Sequence, residues 1–303
     1  METSEIIRTG AMLVAFAVAV SRGRKIWMMA DAGAVLLFGV AWLVMPGVLL
    51  GQMTTGPLDA FHMSLSRLFG AMLIGSVVTF YRTRNSGDVT VSNVLLYSRV
   101  MGISMQLMAV GYGQMYYRDL EKGGWTSEQV WYGLFGGGVW LLGNLYHSAR
   151  SDQFGCYSQR NDRLSAVLRL DGFLLMLGAL FDFAFADMSL TFLVIMFPDI
   201  LLLLMDAKSV DGIHMHMTRC TAAVMFMSGL VSSWAPVFLK DEDKKNVLLG
   251  RIVQSVLTLV ASLLYIFSAH STAGSSMSAL AVNVGQMGLL AFGYLAPTGK
   301  KAA

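Results

Sequence analysis

The stretch Asp59-Ala60-Phe61-His62-Met63-Ser64-Leu65-Ser66-Arg67 recurs 152 residues later as Asp211-Gly212-Ile213-His214-Met215-His216-Met217-Thr218-Arg219. The Asp, His, Met63/Met215 and Arg positions are identical, and Ser66 matches Thr218 in type. The register runs back without a gap to Pro46 and Pro198, through Val48-Leu49-Leu50 against Ile200-Leu201-Leu202. It runs forward to Arg99 and Arg251, each of which follows an Asn-Val-Leu-Leu, starting at Asn93 and Asn246 with one residue of difference in spacing. A long window of matches at one offset predicts a chain built twice.

What is doubled is apolar. The 303 residues are 55% hydrophobic and only 14% charged, with mean hydropathy +0.59. A soluble domain carries about 25% charged residues. The deficit is the one a polytopic membrane protein needs, because charge in the bilayer core is costly. A net charge of +3 gives no ground for a nucleic-acid partner. Cys156 falls in a polar connector and Cys220 in an apolar stretch, so no structural disulfide is expected. No Asn-x-Ser/Thr sequon occurs. The acidic start Met1–Glu5 and the short run Ala11–Val20 lack the basic region and cleavage site of a signal peptide, and none is expected.

Windows of about 20 apolar residues predict eight spanning helices, at 27–46, 63–81, 94–116, 128–147, 168–197, 217–239, 247–269 and 277–296. The fifth is long enough to break near Asp182 or Asp187. Residues 11–20 are too short to span alone and either lie on the surface or extend the first helix. The expected class is all-α. The expected organisation is an N-terminal segment 1–26, a four-helix repeat 27–147, a connector 148–167, a second repeat 168–296 and a tail 297–303. Four spans per half return the chain to its starting side, so the two repeats run parallel. Orientation follows from the loops. Arg22, Arg24, Lys25, Arg82, Arg84, Arg150, Arg160, Arg163, Lys240, Lys244 and Lys245 collect on one side, against Arg118, Lys122 and Lys208 on the other. The positive-inside rule makes the first side cytosolic.

The repeated Asp-x-x-His-x-x-x-x-Arg opens the second helix of each half on the lumenal side. Three readings stand open for Asp59, His62, Arg67, Asp211, His214 and Arg219. In the structural one, the aspartate caps the helix, the histidine sits at the interface, and the arginine snorkels or pairs with a carboxylate. In the second, the arginine and the helix N-terminus receive an anionic lipid headgroup. The third is a catalytic or metal site. His214-x-His216 is spaced wrongly for one helical face, and Ser64 replaces the second histidine in the first half, so no metal is expected. Deeper in the membrane, Arg99 and Arg251 need partners. Asp31 and Asp171 lie at matching depth, which predicts the pairs Asp31–Arg99 and Asp171–Arg251. Gly133, Gly136, Gly137, Gly138 and Gly143, with Gly285, Gly288 and Gly293, predict close helix seams, and Asn144, Asn283 and Gln286 predict interhelical hydrogen bonds. No hydrolase, metalloprotease or phosphate-loop motif occurs, and no cofactor is expected.

Two resemblances add to this. The terminal Lys300-Lys301-Ala302-Ala303 resembles the KKxx retrieval signal of endoplasmic reticulum membrane proteins, an address read by cytosolic coat machinery. It implies that compartment and a cytosolic C-terminus. Each half also resembles small four-helix membrane families, among them the ergosterol-biosynthesis scaffold family and the p53-inducible four-span proteins. The likeness is carried by a first helix ending near a proline and by Arg67-Leu-Phe-Gly-Ala71 opening the second, where the other half has Arg219-Cys-Thr-Ala-Ala. It implies a scaffold or accessory subunit, partnered by membrane lipids and other membrane proteins, with lipid handling or transfer as the task. The alternatives are a transporter or lipid scramblase with a site between the repeats, and a lipid-modifying enzyme.

Overall fold

The computed structural model describes residues 3–119, 123–150, 162–190, 210–268 and 276–296, and over these it is all-α. Helix α1 covers Thr3–Ser21 and α2 covers Arg24–Val44, with Gly23 at φ +94 between them. The run 11–20 therefore belongs to a helix of its own. Phe16 of α1 meets Trp27 of α2 edge-on at 5.3 Å. Met45, at φ −128 and ψ 51, ends α2. Pro46 then opens α3, Pro46–Met53, at the helical position where its missing N–H does no harm.

The remaining helices are α4 (Ala60–Thr83), α5 (Val89–Tyr116), α6 (Ser127–Ala149), α7 (Arg163–Ala184), α8 (Gly212–Trp234), α9 (Asp241–Ser268) and α10 (Ser276–Tyr294). Phe185 ends α7 at φ −127 and ψ 50, the conformation Met45 has after α2. Helix resumes over 186–190, so the expected span 168–197 is interrupted between Asp182 and Asp187. Among the described residues, six helices are long and apolar enough to cross a membrane: α2, α4, α5, α7, α8 with its following turn, and α9 to Tyr265. The ranges 128–147 and 277–296 are helical as well. Several apolar helices of this length fit a multi-pass membrane protein.

Packing does not follow chain order. Helix α4 lies along α9 and α2, and α8 lies along α7 and α5, while α4 and α5 barely touch. Helix α6 packs on α5 and α10 on α9, and α4 crosses α8. Two close approaches set this arrangement. A Cβ on Gly75 of α4 would collide with Gln254 of α9, and one on Gly102 of α5 would stand 2.9 Å from Met227 Cβ of α8. Small residues at such points let backbones approach where lipid gives no hydrophobic drive. Of the glycines expected at seams, Gly137 meets Leu107, Gly143 meets Trp27, and Gly293 meets Val167 and Leu248, whereas Gly133, Gly136, Gly138, Gly285 and Gly288 face open space. Asn144 bonds Trp27 Nε1 at 3.3 Å, across the α2–α6 seam.

Apolar side chains pack in two clusters. One gathers Trp27, Leu95, Leu96, Leu168, Phe238 and Leu248. The other, at the opposite end, gathers Trp42, Leu50, Phe69, Trp125, Ile213 and Met217 around the starts of α4 and α8. The outward faces of α2 and α7 stay apolar, with Leu37, Phe38, Phe173 and Leu177 exposed.

Candidate functional site

The start of α4 is closed by its own sequence. Asp59 Oδ1 accepts the His62 backbone N–H at 2.8 Å, and His62 Nδ1 accepts the Asp59 N–H at 3.0 Å. This reciprocal capping box satisfies two helix-end donors. Helix α8 opens the same way. Asp211 Oδ1 accepts from the N–H groups of Ile213 (2.9 Å) and His214 (3.1 Å), and His214 Nδ1 accepts the Asp211 N–H at 3.2 Å. Ser66 and Thr218 then bond back to the carbonyls of His62 and His214.

With Nδ1 used as acceptor, the proton of a neutral ring sits on Nε2, and each Nε2 faces the other half. His62 Nε2 lies 3.0 Å from Asp211 Oδ1, and His214 Nε2 lies 3.4 Å from Asp59 Oδ1. The two imidazoles stack, with centroids 3.6 Å apart and planes at 20°. Phe61 stacks on the far side of His214. Both histidines are nearly inaccessible, at 2% and 0% exposure, and the Asp59 and Asp211 side chains keep 31% and 21%. Burial raises the Asp59 and Asp211 carboxyls, but the bonds from His214 and His62 outweigh it and hold both below the usual carboxylate range. The four side chains form one reciprocal clasp between the halves.

Asp59, His62 and His214 each bring a ligand atom within 4.8 Å of the others. A metal requires lone pairs that converge on one point. Here the rings lie nearly parallel, every Nδ1 is held by a backbone N–H, and each Nε2 points to the opposite carboxylate. As it stands the donor set makes a hydrogen-bonded clasp in which His214 Nε2, 3.4 Å from Asp59 Oδ1, has no hydrogen-bond partner among the described residues. Of the first-turn amides, Asp59 takes that of His62 in α4, and Asp211 takes those of Ile213 and His214 in α8.

The two arginines of the motif part company. Arg219 Nη1 donates to Tyr117 Oη at 2.6 Å and its Nε to the Phe183 carbonyl at 3.2 Å, and the guanidinium lies 4.3 Å over the Tyr112 ring. Arg67 is half-buried, with no hydrogen bond or ion pair among the described residues. His216 is buried 3.3 Å from Cys220 Sγ and meets Trp125 edge-on at 4.5 Å. Sequence reading missed Trp125 and the strap that brings it in. The Thr55 and Thr126 N–H groups donate to the Gly124 and Met53 carbonyls, both at 2.9 Å. Gly123 (φ +132) and Gly124 (φ +63) make the turn that only glycine adopts easily. The pair Gly-Gly before Trp125 was the available signal.

Within the membrane span the structure sets Asp31 against Arg99 and Asp171 against Arg251. Arg99 grips Asp31 through Nε (2.8 Å) and Nη2 (2.7 Å), with Trp140 Nε1 on the same carboxylate. Arg251 grips Asp171 through Nε (2.9 Å) and Nη2 (3.1 Å), and Ser232 Oγ adds a bond at 2.7 Å. Both pairs are bidentate and buried, the geometry in which a guanidinium repays its desolvation best. Lys300 and Lys301 lie outside the described residues.

The family model described as a domain of unknown function (DUF8292) matches residues 29–295, and the chain belongs to that family. No curated protein and no solved structure matches it.

Proposed function

We propose that this is an eight-span membrane protein of the endoplasmic reticulum, two parallel four-helix repeats with a cytosolic C-terminus. In this reading it serves as a scaffold or accessory subunit of a larger membrane assembly that handles lipid. The observation that carries it is how the polar groups between the halves are spent. His62 Nε2 is committed to Asp211, and both buried Asp–Arg pairs are internally satisfied. The cavity between α4, α5, α8 and α9, lined by Gly75, Thr79, Met227, Gly250 and Arg251 among others, measures about 20 Å³, room for a single water. A transporter or scramblase needs a polar cavity reaching the midplane between the repeats. The repeat reading is supported by matched roles at matched positions: two capping boxes, two bidentate pairs, two helix breaks of one conformation. The exposed apolar faces of α2 and α7 suit lipid or a partner. The loop charges support the orientation, and the resemblance of Lys300-Lys301 to KKxx supports the compartment and coat recognition.

A lipid-modifying enzyme is the second reading, favoured by the 3.0 Å contact of His62 with Asp211. It requires an imidazole to reach substrate, and both are buried. Purification in mild detergent followed by mass spectrometry tests the scaffold reading. A stoichiometric complex with other membrane proteins is expected, and recovery as a lone monomer contradicts it.

A further inference from the structure

A second polar site lies at the end of the molecule opposite the clasp. There the start of α2, the end of α4 and the start of α5 surround a cavity of about 320 Å³, lined by Arg24, Lys25, Arg84, Asn85, Ser86 and Ser92, with Met28 and Thr83 at its floor. That volume lies at the small end of the range for small-molecule sites. The lining holds three cationic side chains, three hydroxyls and an amide, and no carboxylate. The carboxylates nearby already accept hydrogen bonds, one of them from a lining hydroxyl. Asp88 accepts from the Thr90 and Leu239 N–H groups, both at 2.9 Å, and Asp243 accepts from Ser86 Oγ at 2.6 Å.

The cationic groups are held in place. Arg24 Nη1 donates to Ser92 Oγ at 2.9 Å, and Arg84 donates to the Tyr81 carbonyl at 2.6 Å with its guanidinium 3.8 Å over the Tyr81 ring. A pre-positioned guanidinium loses little on binding an anion, and several donors suit the several oxygens of a phosphate. Depth adds the rest. Arg24 and Thr83 are terminal residues of two helices long enough to span, so the cavity opens where lipid headgroups lie. Basic pockets between spanning helices on the cytosolic face are the kind of site that takes anionic headgroups.

We propose that the Arg24–Lys25–Arg84 cavity binds a phosphate-bearing anion, the phosphomonoester headgroup of an anionic lipid. This deepens the lipid-handling part of the proposed function and rests on its orientation, but not on the existence of protein partners.

The test uses the full chain purified in detergent and dioctanoyl phosphatidylinositol 4-phosphate as probe, with dioctanoyl phosphatidylcholine as reference and inorganic phosphate as competitor. The expected result is saturable binding of the phosphoinositide, at least about tenfold tighter than the choline lipid, and weakened about tenfold or more in K25Q/R84Q. Lys25 and Arg84 are chosen because Arg24 also holds Ser92. Displacement by inorganic phosphate at comparable concentration assigns the site to free phosphate, and resistance to it assigns the site to the lipid. Equal affinity for the choline lipid, or undiminished binding in K25Q/R84Q, overturns the proposal. If that variant fails to fold, a photoactivatable analogue of the probe on the unaltered chain decides. Labelling of peptides around 24–28 and 83–92 is expected, and labelling confined to other segments overturns it. Failure here with partners still co-purifying removes only the cavity, and a lone monomer that binds the probe removes only the scaffold.

Discussion

The two halves agree closely at some positions and diverge at others. Asp59 and Asp211 cap their helices alike, His62 and His214 complete the same box, and Arg99 and Arg251 grip aspartates in the same bidentate fashion. Met45 and Phe185 break the first long helix of each half at nearly identical dihedrals. Yet Arg219 is bound to Tyr117 and Phe183 while its counterpart Arg67 makes no such bond, and His216 stands where the first half has Ser64. The spacing differs too. Asp59 stands 14 residues after Met45, and Asp211 stands 26 residues after Phe185. What stays doubled is what the bilayer penalises, an uncapped helix end or a lone buried charge. What differs is the surroundings, and Arg67 lacks the hydrogen bonds that hold Arg219.

The strongest way to break this comparison is at the ion pairs. Asp171→Ala or Arg99→Leu leaves a buried charge alone and should cost about 3–5 kcal/mol, read as lost thermal stability of the purified protein in detergent. Similar losses are expected in both halves. Exchanging the partners, Asp31→Arg with Arg99→Asp, should recover part of the loss, and no recovery would break the pairing.

The arginines sharpen the divergence. Arg219→Leu should lose about 1.5–3 kcal/mol because its charged hydrogen bonds go with it, whereas Arg67→Leu should stay within about 0.5 kcal/mol. Equal effects in the same unfolding assay would mean that the halves have not diverged there.

A smaller loss than at Arg219 is expected at the clasp. His62→Ala or His214→Ala removes half a capping box and should cost about 0.5–2 kcal/mol, the former more, since its reach to the other half is 3.0 Å against 3.4 Å. The clasp also sets an acid limit. Both carboxyls titrate below their unfolded value of about 3.9, so their stabilisation is complete above that value and is lost as pH falls through the folded values. Their contribution to the melting temperature should be full and constant above about pH 5, and the melting temperature should fall toward pH 3. Asp59→Asn and Asp211→Asn should each flatten that fall.

Much of this was legible in the residues. Asp31 and Asp171 could be matched to Arg99 and Arg251 because charge in a bilayer must find its opposite at the same depth, and Asp before an apolar run is a helix start. Three things were not legible. Hydropathy marks a span but not its neighbour, so the pairing of α4 with α9 and of α8 with α5, decided at Gly75 and Gly102, could not be read. The exact residue of the break, Phe185, carries no proline or glycine to announce it, although the length of the span with Asp182 and Asp187 placed the break in that stretch. The cross-reach of His62 to Asp211 joins residues 149 positions apart, and the motif shows each histidine only beside its own aspartate.

The central claim is that this cross-reach fastens the halves. A double-mutant cycle on His62→Ala and Asp211→Ala, read by thermal unfolding, measures it directly. The capping losses of each helix cancel in the cycle, and a coupling of at least about 0.5 kcal/mol is expected. Losses that add to within about 0.3 kcal/mol would contradict it and leave two helix caps that merely lie side by side.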